Sequence, residues 1–345
     1  MAGSLTERER QVLEAVIETY VATAEPAGSR TISRKFGLAL SAATIRNTMS
    51  DLEERGYLYH PHTSAGRIPT DLAYRVYVNS LMRLSEVSAS DSHQIREELA
   101  ERNAVDQILE RAAQVLGVLT KELGVAVGPS LEQAVLERVE LLQAGSDRLL
   151  LVLTLKSGVV RTIFVEVPSH LAPEAVVSVA VVLNDRLAGL TLREIRATLP
   201  ARLRDAAPDA GSSELLNIFI QEADDLFDVQ PAAGSAGGVV LGSAQLLAGQ
   251  PEFATKEQFQ GLLEVTERRD LLREALARRL GQGLTITIGS EHQDPSLAPF
   301  TLVTASYRLG PLAGVIGVMG PTRMPYDKIV ALVDHTSRLV GELLE

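Results

Sequence analysis

Arg46 and Asn47 are neighbours whose side chains can read a nucleobase edge. A guanidinium donates two parallel hydrogen bonds to guanine O6 and N7, and a carboxamide pairs with adenine N6 and N7. If Ile45, Met49 and Leu52 form the inner face of a helix, then Ala42, Ala43, Arg46, Asn47 and Ser50 face outward. Small residues in the first turn let such a helix sink into a groove roughly 12 Å wide. Ser41 and the free N–H groups beside it can hold a phosphate. The same residues also fit an ordinary solvated helix face.

A second cluster follows in His60-Pro61-His62-Thr63-Ser64-Ala65-Gly66-Arg67-Ile68-Pro69-Thr70. The Thr63 and Ser64 hydroxyls and the Gly66 N–H can contact phosphate. Arg67 can reach a phosphate or enter a narrow minor groove. The run also fits a solvated hairpin tip, and His60-x-His62 offers two metal ligands, with no cysteine in the chain to complete a site. Five of the seven tyrosines precede residue 80; their spacing suits packing better than stacking on single strands.

Catalytic chemistry has little to stand on. The chain contains neither a Gly-x-x-x-x-Gly-Lys phosphate loop nor a Gly-x-Ser-x-Gly elbow. His60, His62, His93, His170, His292 and His335 are scattered without ligand or triad spacing. No cofactor, metal or catalytic residue is expected.

The elements that would carry these residues are legible. Thr6-Glu7-Arg8-Glu9 is a capping box, and Leu13, Val16, Ile17, Tyr20 and Val21 follow at helical spacing before Glu25-Pro26 ends the helix. Gly28-Ser29 opens a short second helix, with Ile32 and Phe36 inward; Ser41 caps the third, which Gly56 ends. Tyr57–His60 and Arg67–Pro69 are the strands of a hairpin. Thr70 caps a fourth helix with Leu72, Val76, Tyr77, Leu81 and Leu84 inward. Three helices, a hairpin and a trailing helix make a winged helix-turn-helix over residues 1–84.

Residues 85–124 are a polar linker and a long amphipathic helix, or two joined near Asn103. Strands are expected at Val135–Leu142, Leu149–Thr154, Val159–Val167, Leu284–Ile288, Phe300–Leu309 and Gly314–Met319. Helices are expected at Pro173–Leu187, Leu192–Leu199, Ser213–Phe227, Lys256–Leu280 and Pro325–Leu344, around a Gly/Ala/Ser-rich stretch, Ala232–Gly238. The pattern suggests an α+β domain interrupted by a mainly helical insert.

The bulk properties agree. At 345 residues the chain exceeds one ordinary domain, and 46% hydrophobic residues with mean hydropathy +0.10 supply sizeable cores. Without Trp and with 4% aromatics, those cores rest on Leu, Val, Ile and Ala. The absence of cysteine, of an apolar leader and of a spanning-length apolar run points to a cytoplasmic protein with no membrane contact. The net charge of −11 opposes nucleic-acid binding, but its distribution does not. From Ala27 to Arg83, eight basic residues face four acidic ones, leaving a basic head on an acidic body.

The run from Ser41 to Leu58, followed by Pro61-His62-Thr63-Ser64-Ala65-Gly66-Arg67-Ile68-Pro69-Thr70 and Tyr74-Arg75-Val76-Tyr77-Val78, closely resembles the HrcA family of heat-inducible transcription repressors. Gly242-Ser243-Ala244, Gln250-Pro251-Glu252-Phe253 and Gly314–Met324 extend the resemblance across the chain. The sequence departs from the family at Asp71-Leu72-Ala73, where a Gly commonly precedes the Tyr, and at Asn79, where Asp is common. The resemblance implies a homodimer made of the winged helix, a GAF-like domain (125–188 and 284–345) and an inserted dimerisation domain (189–283). It further implies binding to an inverted-repeat operator on double-stranded DNA before chaperone operons, with activity maintained by a GroE-type chaperonin. An alternative is a regulator that senses a small molecule in the GAF-like domain, for which Arg161, Tyr307 and Arg308 are candidate contacts.

Overall fold

The structure, a computed structural model, describes residues 5–61, 66–100, 105–129, 131–168, 172–204, 206, 210–227 and 238–344. The chain divides into two units. One comprises Met1–Val127, Val239–Tyr307 and Val315–Leu343; the other comprises Gly128–Gly238, Arg308–Gly314 and Leu344–Glu345.

The first unit opens with α1 (Glu7–Thr23), started by the expected capping box: Thr6 Oγ1 accepts from Glu9 N at 3.3 Å, and Glu9 Oε2 accepts from Thr6 N at 2.7 Å. α2 (Ser29–Lys35) and α3 (Ala42–Glu54) follow. Val12, Leu13, Val16 and Ile17 of α1, Ile32 of α2 and Ile45, Met49 and Leu52 of α3 are all buried. Gly56 closes the third helix with φ +79°, the left-handed geometry that favours glycine. β1 (Leu58–Tyr59) and β2 (Ile68–Pro69) pair antiparallel, Leu58 opposite Pro69. α4 (Asp71–Val76) runs into a π-helical turn, Tyr77–Leu81, and the chain becomes extended at Met82.

This last stretch corrects one expectation. Ala73, Tyr74 and Tyr77 are the buried residues here, whereas Leu72 and Leu84 are 43% and 63% exposed. The wide π turn adds a residue and rotates the inner face, and Leu84 lies beyond the helical stretch altogether.

Of the two expected alternatives, the chain takes the pair of helices, α5 (Ala89–Ala100) and α6 (Val105–Thr120), and β3 (Leu123–Val127) completes this part of the unit. The chain then enters the second unit. β4 (Leu136–Gln143), β5 (Arg148–Leu155) and β6 (Val160–Glu166) form a three-stranded antiparallel sheet. α7 (Pro173–Leu187), α8 (Leu192–Leu203), α9 (Ala210–Gln221) and α10 (Ala223–Leu226) cover it. Alternate residues Leu149, Leu151, Leu153 and Leu155 of β5 share one core with Val179, Leu183, Ile195, Leu199 and Phe219.

β7 (Val239–Leu241), α11 (Ala244–Ala248), α12 (Lys256–Glu267), α13 (Arg269–Ala277), β8 (Thr285–Ile288), β9 (Phe300–Leu309), β10 (Leu312–Pro321) and α14 (Tyr326–Leu344) complete the chain; they belong to the first unit except for Arg308–Gly314 and Leu344. A five-stranded sheet runs in the order β7-β3-β10-β9-β8, with β3 antiparallel to both β10 and β7. Leu262, Val265, Leu272 and Leu276 of α12 and α13 pack on Leu123, Val125, Phe300, Leu302 and Met319.

The α+β class with an N-terminal winged helix therefore holds, but the boundaries inside the body fall elsewhere. The expected GAF-like portion 125–188 is split: β3 belongs to the five-stranded sheet, while β4–β6 form their own sheet in residues 128–238. The expected insert 189–283 is split too, since α12 and α13 pack on the five-stranded sheet. Strand periodicity marks which residues face inward; it does not say which sheet they join. The short β4–β5 and β5–β6 connections and the shared core with α7–α9 make that choice.

Candidate nucleic-acid interface

α3 owes its orientation to its own sequence. Ser41 is its N-cap, accepting from Thr44 N at 3.1 Å, and the buried Ile45, Met49 and Leu52 fix its rotation. That leaves Ala43, Arg46, Asn47 and Ser50 exposed along one side, with Ala42 half-buried. Ser41 is exposed, but its hydroxyl is already engaged in the cap and with the Thr44 hydroxyl at 2.9 Å. Its phosphate contact would therefore come through the first-turn N–H groups rather than the hydroxyl.

Beside α3 lies a concavity of about 390 Å³ lined by Ala27, Gly28, Ser29, Arg30, Arg46, Met49, Gly66 and Arg67. Its base is a backbone bridge: Ala27 N donates to Arg67 O at 2.8 Å and Arg67 N donates to Ala27 O at 3.0 Å. Gly66 is required at this crossing, because a Cβ there would stand 2.3 Å from the Ala27 carbonyl oxygen. The motif Gly-Arg-Ile-Pro thus docks the base of the wing against the α1–α2 connection.

Arg67 does not project freely. Its Nη2 sits 2.7 Å from Glu53 Oε2, its side chain is 13% exposed, and its Nε is buried without a partner. Glu53 also receives His60 Nδ1 at 3.1 Å. Glu53 therefore ties α3 to the residues flanking both hairpin strands, a contact that the sequence alone did not reveal. Arg30, exposed on α2 and lining the same concavity, was missed as well. Its basic neighbours Arg34 and Lys35 were the available signal. His62, Thr63 and Ser64 lie outside the described residues. Among the described residues, no group of three His, Asp or Glu is placed to hold a metal.

The interface is held on the sheet by polar contacts from both ends of the head. Arg323 Nη1 donates to Val21 O of α1 at 2.9 Å while its guanidinium pairs with Glu252. Arg75 of α4 pairs with Glu291, its Nη2 also donates to Ile286 O at 2.7 Å, and Ser290 N donates to Asp71 at 2.8 Å. Tyr74 packs on Tyr326 with ring centroids 5.6 Å apart. Gly289, at φ +52°, leaves room for Asp71, whose carboxylate would collide with any Cβ there. Asp71, two residues before the departure at Ala73, is thus a joint residue. So are Glu252 and Arg323 of the downstream motifs.

Of the candidate ligand contacts, the Tyr307 hydroxyl donates to Val127 O at 3.1 Å inside the five-stranded sheet, while Arg161 on β6 and the exposed Arg308 belong to the second unit.

No helix among the described residues is long and apolar enough to cross a membrane. Residues 106–330 match the family model described as HrcA protein C terminal domain. A heat-inducible transcription repressor HrcA of Chlorobium phaeobacteroides (strain BS1) is 38% identical over 348 residues, covering 97% of each chain. Its counterpart in Chlorobaculum tepidum is 38% identical over 355 residues, covering 99% of this chain and 98% of that one. Among solved structures, a crystal structure of a hypothetical protein aligns over 99% of both chains with TM-score 0.60 at 21% identity, a likeness of fold.

Proposed function

This chain belongs to the HrcA family of heat-inducible transcription repressors, and on that premise we propose that α3 reads operator base edges from the major groove. Arg46 and Asn47 supply the base contacts, and Ala42, Ala43 and Ser50 shape the fit. The N-terminal turn at Ser41, the wing residues Thr63 and Ser64, and Arg30 position the protein on phosphate, with Arg67 holding the wing through Glu53. The observation that carries this is the exposed row Ala43, Arg46, Asn47 and Ser50, held outward by a fully buried opposite face.

The protein acts in this reading as a cytoplasmic homodimer on an inverted repeat, since two heads related by a two-fold axis match two half-sites. The unit of residues 128–238 leaves Val160 and Phe164 of β6, and Val177 and Val181 of α7, 57–66% exposed. Burial of such side chains against a second copy favours that unit as the dimerising part. A GroE-type chaperonin sustains the DNA-competent form.

The test is binding to a duplex carrying the inverted repeat of a chaperone-operon promoter, against a scrambled duplex, over a salt series and with or without chaperonin. Tight, selective and salt-sensitive binding that chaperonin enhances is expected. Absence of selectivity under every condition overturns the operator reading, and selectivity indifferent to chaperonin overturns the feedback.

A further inference from the structure

Arg279 follows α13, on the face of the five-stranded sheet, and it is a charge without a counter-ion. It is 7% exposed. Its Nη1 donates to Ala275 O and its Nη2 to Thr287 Oγ1 at 2.5 Å, but its Nε is buried with no partner, and no carboxylate among the described residues pairs with it. Burial lowers its pKa to about 10, so it remains cationic at neutral pH. A buried cation is costly unless something negative meets it.

The carboxylates nearby are committed elsewhere. Glu274 pairs with Arg278, Glu291 pairs with Arg75 and accepts from Ile288 N, and Asp294 accepts from Ser296. His292 stands in the same cleft with its Nε2 buried and unpartnered. Burial and the nearby Arg279 charge push its pKa down to about 4, so the ring is neutral at neutral pH, with a backbone hydrogen bond at Phe300. The cleft these groups line has a volume of about 530 Å³, within the range of small-molecule sites, with an apolar wall from Leu271, Ala275 and Leu297.

We propose that this cleft binds a small organic oxyanion, a carboxylate or phosphate monoester, whose charged end is drawn to the uncompensated Arg279 guanidinium beside His292. The apolar wall takes the carbon skeleton. Glu291 lines the cleft and holds Arg75 of the winged helix, and Thr287 adjoins the Ile286 carbonyl that Arg75 also grips. An occupant would therefore bear directly on the joint that carries the DNA-reading head.

Direct binding to the full-length protein tests this independently of any operator. Inorganic phosphate and acetate serve as probes, titrated at constant ionic strength with chloride as the balancing ion. The expected result is saturable binding of one anion per chain, weakened at least ~10-fold by Arg279→Gln and unchanged by Arg338→Gln on the exposed face of α14. The relative strengths of the two probes tell which oxyanion the site prefers. Because Arg279→Gln could unfold the protein, a second reading uses the unaltered chain: the His292 ring resonances should shift on phosphate addition, in proportion to occupancy. No saturable binding of either probe, equal binding by Arg279→Gln, or an unmoved His292 signal at saturation overturns the site.

Discussion

Arg46 and Arg67 are both arginines of the DNA-facing head, yet their surroundings assign them different work. Arg46 is exposed with no ion pair among the described residues, whereas Arg67 is held against Glu53 at 2.7 Å. Arg46→Ala should cost about 1–3 kcal/mol on operator duplex and leave random duplex untouched. Arg67→Ala should weaken both by releasing Glu53 and loosening the wing, with the slope of log affinity against log salt nearly unchanged. A salt series on the two duplexes separates these outcomes; equal losses from both changes would sink the division of labour. Two groups flanking the sheet, the half-buried His292 after β8 and the buried Glu122 before β3, give the pH dependence. His292 is depressed to about 4 by burial, so its unfolded form takes up a proton first and stability falls as pH drops from about 6.5 towards 4. Glu122 is raised to about 8 by burial, so its folded form keeps a proton that the unfolded form releases. Its contribution is intact below about 4.5 and is lost as pH rises through 8. In the plot of denaturation midpoint against pH, His292→Gln should therefore reduce the fall between about pH 6.5 and 4, and Glu122→Gln should reduce the fall between about pH 4.5 and 8.

At the scale of elements, the wing depends on a backbone crossing rather than on a hydrophobic contact. Gly66→Ala would place a Cβ 2.3 Å from Ala27 O, so the bridge between Ala27 and Arg67 must open. We expect a loss of about 1–3 kcal/mol in stability and a larger proportional loss of DNA binding, read by denaturation and by duplex titration. A variant as stable and as active as the parent would exclude the crossing as the anchor. Much of this head was legible in the sequence: the capping box, the inner faces of α1 and α3, the C′ glycine and the hairpin all follow from local spacing. Asp71, Glu53 and Glu291 were not legible, because their partners are distant in the chain or point along an axis that periodicity does not report. The same limit explains the body. Strand positions within β5, β6 and β9 were readable from alternation, but membership in one sheet or another is a long-range choice. The Arg75 joint yields a prediction at this scale. Arg75→Gln removes the pair with Glu291 and its bond to the Ile286 carbonyl, at a cost of about 1–2 kcal/mol. The head should then melt ahead of the sheet, as two transitions where the parent shows one.

The whole molecule combines large Leu- and Val-rich cores with a head fastened by few polar contacts. The sheet core alone gathers Leu123, Val125, Phe300, Leu302, Val315 and Met319 with α12 and α13, and burial of each such side chain stabilises by roughly 1.5–3 kcal/mol. Arg323 to Val21 O, Arg75 to Glu291 and Asp71 to Ser290 N are individually worth far less, and they act beside the single aromatic contact of Tyr74 with Tyr326. Local opening follows the weakest contacts, so the joint should release before the cores do. Operator affinity should accordingly fall on warming in a range where far-UV ellipticity is unchanged. Amide exchange should rise first in Asp71–Leu81, while β3 and β10 stay protected. Chaperonin added in that range should recover binding, and unfolded client protein should abolish the recovery by competing for it. If operator affinity is lost only together with global ellipticity, heat acts on the cores and the joint is no switch. If affinity is lost early but β10 exchanges as fast as α4, the sheet itself loosens, and the heat-sensitive element lies in the body rather than at the head.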